Sequence, residues 1–184
     1  VFFFFLAKTF VKSHDVFAVD TDDMSATAKE IGCAFYPLYD LAAFQKLHCD
    51  VILFSVSIIS FAEVLRAFPQ EALRGSLVVD VLSVKEHAKK TMLELLPEEA
   101  DVLCTHPMFG PESGKYGWNG LPFLYDRVRV TNNERCDAFL DVWERERCKM
   151  IEMTCEQHDE FAANSQFITH LVGRILWQQN LTPT

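Results

Sequence analysis

Glycine is scarce: the 184 residues hold seven, and none precedes Gly32. No glycine turn is therefore available near the start of the chain. G-x-x-x-x-G-K-[S/T] is absent, so a P-loop has no footing, and G-x-S-x-G and H-E-x-x-H are missing as well. Six cysteines stand at 33, 49, 104, 136, 148 and 155, and no two form C-x-x-C. Zinc-ribbon spacing is thereby excluded and no metal is expected. Basic residues are in the minority, 17 against 26 acidic, for a net charge of −9. That balance gives no general attraction to nucleic acid or to an anionic membrane, so neither is an expected partner. Any anionic ligand must be held by a local feature. Long apolar runs are lacking too. Val1 to Ala7 is apolar but stops at Lys8, well short of the roughly 20 residues of a membrane span. It carries no basic leader and no small-residue cleavage site, and no Arg/Ser-rich transit segment is present, so no targeting segment is expected in the chain.

What is present is a core. Hydrophobic residues make up 49% of the chain and charged residues 23%, enough for one packed domain, or one domain and part of another. A chain this long and apolar needs no disulfide staples, and the cysteines read as reduced thiols.

Strand and helix patterns alternate along the sequence. Val16–Val19 is a short apolar run ending in Asp20, the pattern of a buried strand. Ser25–Ile31 is a helix with Ser25 as its cap and Gly32 as its stop, and Leu38–Leu47 is a second helix candidate. Val51–Val56, Ser76–Val81 and Asp101–Cys104 are strands apolar on both faces. Ser60–Phe68 and Val84–Leu96 are the helices between them, the second stopped by Pro97. Phe123–Val130 and Lys149–Met153 are further strands around a helix at Glu134–Glu146. Strands apolar on both faces and alternating with helices imply an α/β fold, a parallel sheet covered on both sides. Between His106 and Pro122 the texture changes to a loop holding Gly110, Gly114, Gly117 and Gly120. It follows directly on a strand end, where open parallel sheets bind ligands. Glu156–Gln179 reads as a long helix. Phe161, Ile168, Leu171, Val172 and Ile175 mark its apolar side, and Asp159, Gln166, His170 and Arg174 recur on the other.

Several residues are placed to carry chemistry. Asp20, at a strand's end, is either an acid for ribose hydroxyls or a solvated loop acid beside Asp22 and Asp23. His106 opens the Gly/Pro loop. It is either a neutral imidazole that takes a proton from a hydroxyl as hydride leaves the same carbon, or a histidine bonded to loop backbone. Ser83 either orients that histidine or a cofactor, or caps the next helix. Gln166, His170 and Arg174 share a helical stripe that either grips carboxylates, Arg174 bidentately, or is a solvated face.

Four stretches carry a resemblance: Phe5–Val11, Val79–Glu86, Leu103–Lys115 and Ser165–His170. They resemble the prephenate/arogenate dehydrogenase family, and its plant members most. The third stretch, with Thr105-His106-Pro107-Met108-Phe109-Gly110-Pro111, is long and specific. The similarity runs from Leu6 to Trp177. It implies a Rossmann-type domain followed by an all-helical domain that forms a homodimer and much of the substrate site. The implied boundaries are a dinucleotide-binding domain over residues 1–153 and the first helix of the helical domain over 154–184, truncated. The implied reaction is oxidative decarboxylation of a small molecule, arogenate or prephenate, with NAD or NADP, in the chloroplast stroma. His106 and Ser83 would be the catalytic pair. Asp20, Ser55, Ser83 and Lys85 would bind the cofactor, and His158, Gln166, Thr169, His170 and Arg174 the substrate.

The chain departs from the family in three ways. Where the family carries G-x-G-x-x-G it has Val1-Phe2-Phe3-Phe4, whose rings would block the approach to pyrophosphate. The first strand is missing or reduced to that phenylalanine run, which would leave two inner strand edges unpaired. Most of the helical domain is missing too. The rival reading is a non-catalytic truncated paralogue that binds no cofactor.

Overall fold

The computed structural model describes residues 2–38, 47–164 and 168–179. The phenylalanine run is helical and is no residual strand: α1 spans Phe2–Phe10. A helix apolar all round must be buried on more than one side, and α1 is. Phe4 packs with Ala18, Ala28 and Cys33, whereas Leu6 packs with Leu77, Val79, Leu103 and Trp118. There follow β1 (Phe17–Asp20), α2 (Ser25–Ile31) and β2 (Ala34–Pro37). Gly32 ends α2 in the left-handed region, φ 92°, with its N–H on the Ala28 and Lys29 carbonyls, as a terminal glycine should. The helix expected over Leu38–Leu47 falls largely outside the described residues.

The rest of the chain gives β3 (Val51–Phe54), α3 (Phe61–Ala67), α4 (Gln70–Leu73), β4 (Leu77–Asp80), α5 (Lys85–Leu95) and β5 (Asp101–Pro107). Then come β6 (Pro122–Arg129), α6 (Asn133–Arg145), β7 (Lys149–Glu152), α7 (Cys155–Ala162) and α8 (Ile168–Gln178). The helix expected over Glu156–Gln179 is seen as α7 and α8, with residues 165–167 between them outside the described residues.

The strands form two sheets, β1-β2 and β3-β4-β5-β6-β7. Among the described residues β1 pairs only with β2 and β3 only with β4, so the two facing edges stand unpaired. Side-chain packing links the sheets instead: Phe17, Val19 and Tyr36 lie against the cluster holding Ile52, Phe54 and Phe61. β4 and β5 are buried at every position, which is why their sequences are apolar on both faces.

One expectation is corrected. The larger sheet is not wholly parallel, because β6 runs antiparallel to β5. A parallel return needs a crossover long enough to cross the sheet, usually a helix. The Gly/Pro loop between Pro107 and Pro122 supplies none and brings the chain back alongside β5. α6 covers this part of the sheet with Cys136, Phe139, Leu140 and Trp143, spacing 3-1-3 on one face. The Trp143 ring stacks on Phe123 at 4.0 Å and on Trp118 at 4.9 Å between centroids.

Candidate functional site

Of three adjacent parallel strands, β3 and β4 end level with each other and β5 runs on to Pro107. Phe54 pairs with Asp80 and Asp80 with Cys104. Ser55, Ser83 and His106, a few residues further on, therefore share the carboxyl edge of the sheet, where α/β folds bind ligands. Ser55 is half-buried and Ser83 is exposed at the β4–α5 junction. His106 lies inside β5 and is 7% exposed.

The imidazole of His106 is one member of a line. Its Nδ1 lies 2.8 Å from His158 Nε2. His158 Nδ1 lies 2.8 Å from Asp159 Oδ1. Asp159 Oδ1 accepts the Lys85 N–H at 2.8 Å, and its Oδ2 accepts the Glu86 N–H at 2.9 Å. A carboxylate on α7 thus caps the first turn of α5, whose amides have no partner within their own helix. Thr154 and Gln157 form a reciprocal capping box that sets the start of α7. Cys155 N–H donates to Asp126 at 2.9 Å, and Lys89 pairs with Glu156 at 3.0 Å.

Beneath this line is a second buried set. The Lys85 ammonium pairs with Asp80 and donates to the Thr105 carbonyl at 2.6 Å. Asp80 also accepts the Leu82 N–H at 3.0 Å, and the Thr105 hydroxyl donates to the Asp80 carbonyl at 2.5 Å. The set fixes the turn that carries Ser83 against the strand that carries His106.

Burial, the His158 ring and the Lys85 ammonium push the His106 pKa down to about 3, against a weaker opposing pull from Asp159. Burial also lowers that of His158, against the pull of Asp159. Burial of Asp159 opposes its ionisation, but the Lys85 and Glu86 N–H groups and His158 outweigh it and hold its pKa below the usual range. At neutral pH the line is two neutral imidazoles ending on a carboxylate. His106 Nε2 takes no hydrogen bond from a described residue, and the sealed polar atoms left without a partner are Asp80 Oδ1 and Trp143 Nε1.

Two of the expected site residues lie inside the fold. His158 is 2% exposed and both its ring nitrogens are engaged. The cavity beside it, about 10 Å³, has room for about one water and not for a ring. The Lys85 ammonium is held by Asp80 and the Thr105 carbonyl inside the fold. Thr169 and Arg174 are exposed on α8. Gln166 lies outside the described residues, and of His170 only its backbone place in α8 is described. Asp159 reads from the sequence as one member of a polar helical stripe; the His-Asp pair at one helix start is the signal of its place beside His158.

The residues present fit a dinucleotide at its two ends. Asp20 is half-buried at the carboxyl end of β1, where it accepts the Asp22 N–H at 3.2 Å and the Thr21 hydroxyl at 3.3 Å. Ser55 and Ser83 stand at the other end. In between, the first turn of α1 carries phenylalanines where a glycine turn would lie. The Phe4 and Phe5 rings pack into the two cores on either side.

A layered α/β domain with ligand-handling residues at its strand ends belongs to the class of Rossmann-type nucleotide-binding domains. The family profile described as "Prephenate dehydrogenase, nucleotide-binding domain" matches residues 6–152, and the chain belongs to that family. It is 51% identical over 179 residues to arogenate dehydrogenase 2, chloroplastic, of Arabidopsis thaliana, covering 94% of this chain and 49% of that protein. With arogenate dehydrogenase 1, chloroplastic, of the same plant it shares 47% over 186 residues, 98% of this chain and 29% of that one. The chain thus spans less than half the length of either relative. The fold matches that of prephenate dehydrogenase from Aquifex aeolicus, solved with hydroxyphenyl propionate and NAD+. The TM-score is 0.74 at 18% identity, covering 96% of this chain and 64% of that one. It also matches Synechocystis arogenate dehydrogenase, at TM-score 0.65 and 17% identity over 98% and 70% of the two chains.

Proposed function

We propose that this chain carries the nucleotide-binding half of an arogenate dehydrogenase, acting by oxidative decarboxylation with NAD or NADP. The observation that carries the reading is His106: buried, neutral, with Nε2 unengaged, on the strand edge it shares with Ser83. The chemistry a bound nicotinamide supplies there is hydride acceptance. As hydride leaves the ring carbon, the hydroxyl on that carbon becomes a protonated carbonyl, a strong acid. His106 Nε2 takes that proton, and a weak base suffices for so acidic a donor. The bond to the carboxylate then breaks, carbon dioxide leaves, its electron pair aromatises the ring, and the resulting phenolate oxygen takes the proton back from His106. Ser83 orients the histidine and the cofactor. Gln166, Thr169, His170 and Arg174 make up the substrate side, with Arg174 for a carboxylate. The names of the two plant relatives favour arogenate over prephenate and place the protein in the chloroplast, in our reading the stroma. The full protein acts as a homodimer. An inactive remnant is the weaker reading, since the family match runs over residues 6–152 and includes Ser83 and His106.

The test is reduced-nicotinamide formation with arogenate and with prephenate, by the protein that carries this chain and by its His106→Ala variant. Turnover should fall about 10²–10⁴-fold with dinucleotide affinity little changed, and a fall within about threefold would remove His106 from the chemistry.

A further inference from the structure

We propose that Asp159, acting through His158, holds His106 in a single tautomer, with the proton on Nδ1 and the lone pair on Nε2. Both residues are positioning residues, and the inference rests on the reading of His106 as the proton acceptor. The argument runs along the line of contacts. Backbone N–H groups can only donate, so the Lys85 and Glu86 amides require Asp159 to accept on both oxygens. The carboxyl group is therefore ionised, and the third group facing it, His158 Nδ1, must carry a proton. A neutral His158 then has its lone pair on Nε2, aimed at His106 Nδ1 at 2.8 Å. Only a protonated His106 Nδ1 completes that contact, which leaves His106 Nε2 bare.

The alternative is a doubly protonated His158, which would donate from Nε2 and reverse the order on His106. It would put a cation in a closed site beside the Lys85 ammonium. The other charged groups around the pair, Asp80 and Asp126, are already engaged by Lys85 and by the Cys155 amide and Lys89. The line thus does for His106 what a second carboxylate does for a metal-bound imidazole: it fixes ring orientation and tautomer together.

The experiment is imidazole nitrogen NMR on the uniformly ¹⁵N-labelled 184-residue chain, with the His106 signals assigned from their loss in His106→Gln. The parent should show a pyrrole-type Nδ1 and a pyridine-type Nε2 on His106. His158→Phe should shift His106 toward averaged or Nε2-protonated signals, because it removes the acceptor and keeps a ring of similar size. His158→Gln should restore the parental pattern: its amide can donate to Asp159 and present its carbonyl to His106. A parent with the proton on Nε2 would overturn the inference, as would a His158→Phe variant with the parental pattern. The parental spectrum decides the matter even if the phenylalanine variant fails to fold. No substrate enters the measurement, so it stands or falls apart from the dehydrogenase assay.

Discussion

His106 combines two properties that a solvated histidine cannot have together. It is uncharged over the whole neutral range, and its ring is held by a partner 52 positions further along the chain. The first property has a consequence for stability. The unfolded chain binds a proton at this ring near pH 6.5, and the folded chain only near pH 3. Between those values the unfolded state holds more protons, so stability is lost as the pH falls, by about 1.4 kcal/mol per pH unit for one group. The lowered pKa of Asp159 acts in the same direction at the acid end of the range. Urea unfolding at intervals from pH 7 to 4 should therefore show a fall in stability that His106→Gln flattens by about one proton. Equal slopes in the two proteins would show that His106 titrates normally. The places of His106, Ser83 and Asp20 at strand ends were legible from sequence because each follows an apolar strand run, and strand ends are where such folds bind ligands. His158 and Asp159 were legible only as a pair at a helix start. Their partners, His106 and the Lys85 and Glu86 amides, lie 52 to 74 positions away, and no local pattern encodes such a contact.

Most helices and strands of the larger sheet follow from periodicity, because burial on two faces writes itself into β4 and β5 and a one-sided face into α6. The misses have local reasons. β2 is four residues long, ends in proline and is nowhere fully buried. The α4 turn is as short, with a single fully buried residue. The direction of β6 depends on whether the preceding loop crosses the sheet, which composition does not reveal. The phenylalanine run is helical because α1 is wedged between two cores, a fact of packing and not of propensity. That wedge puts a demand on the Gly/Pro loop. A Cβ added at Gly114 would lie 2.5 Å from Phe5 Cζ and 3.2 Å from the Gly110 carbonyl oxygen. Gly114 has no positive φ, so the obstacle to alanine is the Phe5 ring, with the Gly110 carbonyl close behind it, and not backbone strain. Gly114→Ala should cost about 1–3 kcal/mol in denaturant unfolding, the usual cost of overpacking. Gly114→Ala combined with Phe5→Leu should cost less than the sum of the two single changes, since the pair shares one contact. Strict additivity would show that Phe5 does not press on the loop.

At the scale of the molecule, the two sheets divide the expected cofactor contacts. Ser55 and Ser83 lie on the larger sheet, and Asp20 lies on the two-stranded one, joined to it by α1 and by packing. The adenine end therefore answers to a small unit with its own charge. Asp20, Asp22 and Asp23 stand together after β1, and no lysine or arginine occurs between Lys12 and Lys29. Asp23 is held ionised by its hydrogen bonds to Ser25, which lower its pKa. Asp20 can accept from the two ribose hydroxyls of NAD, whereas the 2′-phosphate of NADP would add negative charge to an acidic segment that holds no lysine or arginine of its own. The family match does not decide between the cofactors. The residues at the end of β1 favour NAD. The ratio of kcat/KM for NAD and NADP, measured on the protein that carries this chain, should favour NAD. Asp20→Ser should move the ratio toward NADP, because it removes a charge and leaves a hydroxyl able to donate to phosphate. A parent that already prefers NADP by about tenfold, with a ratio that Asp20→Ser leaves unchanged, would mean that the adenine ribose lies elsewhere than at the end of β1.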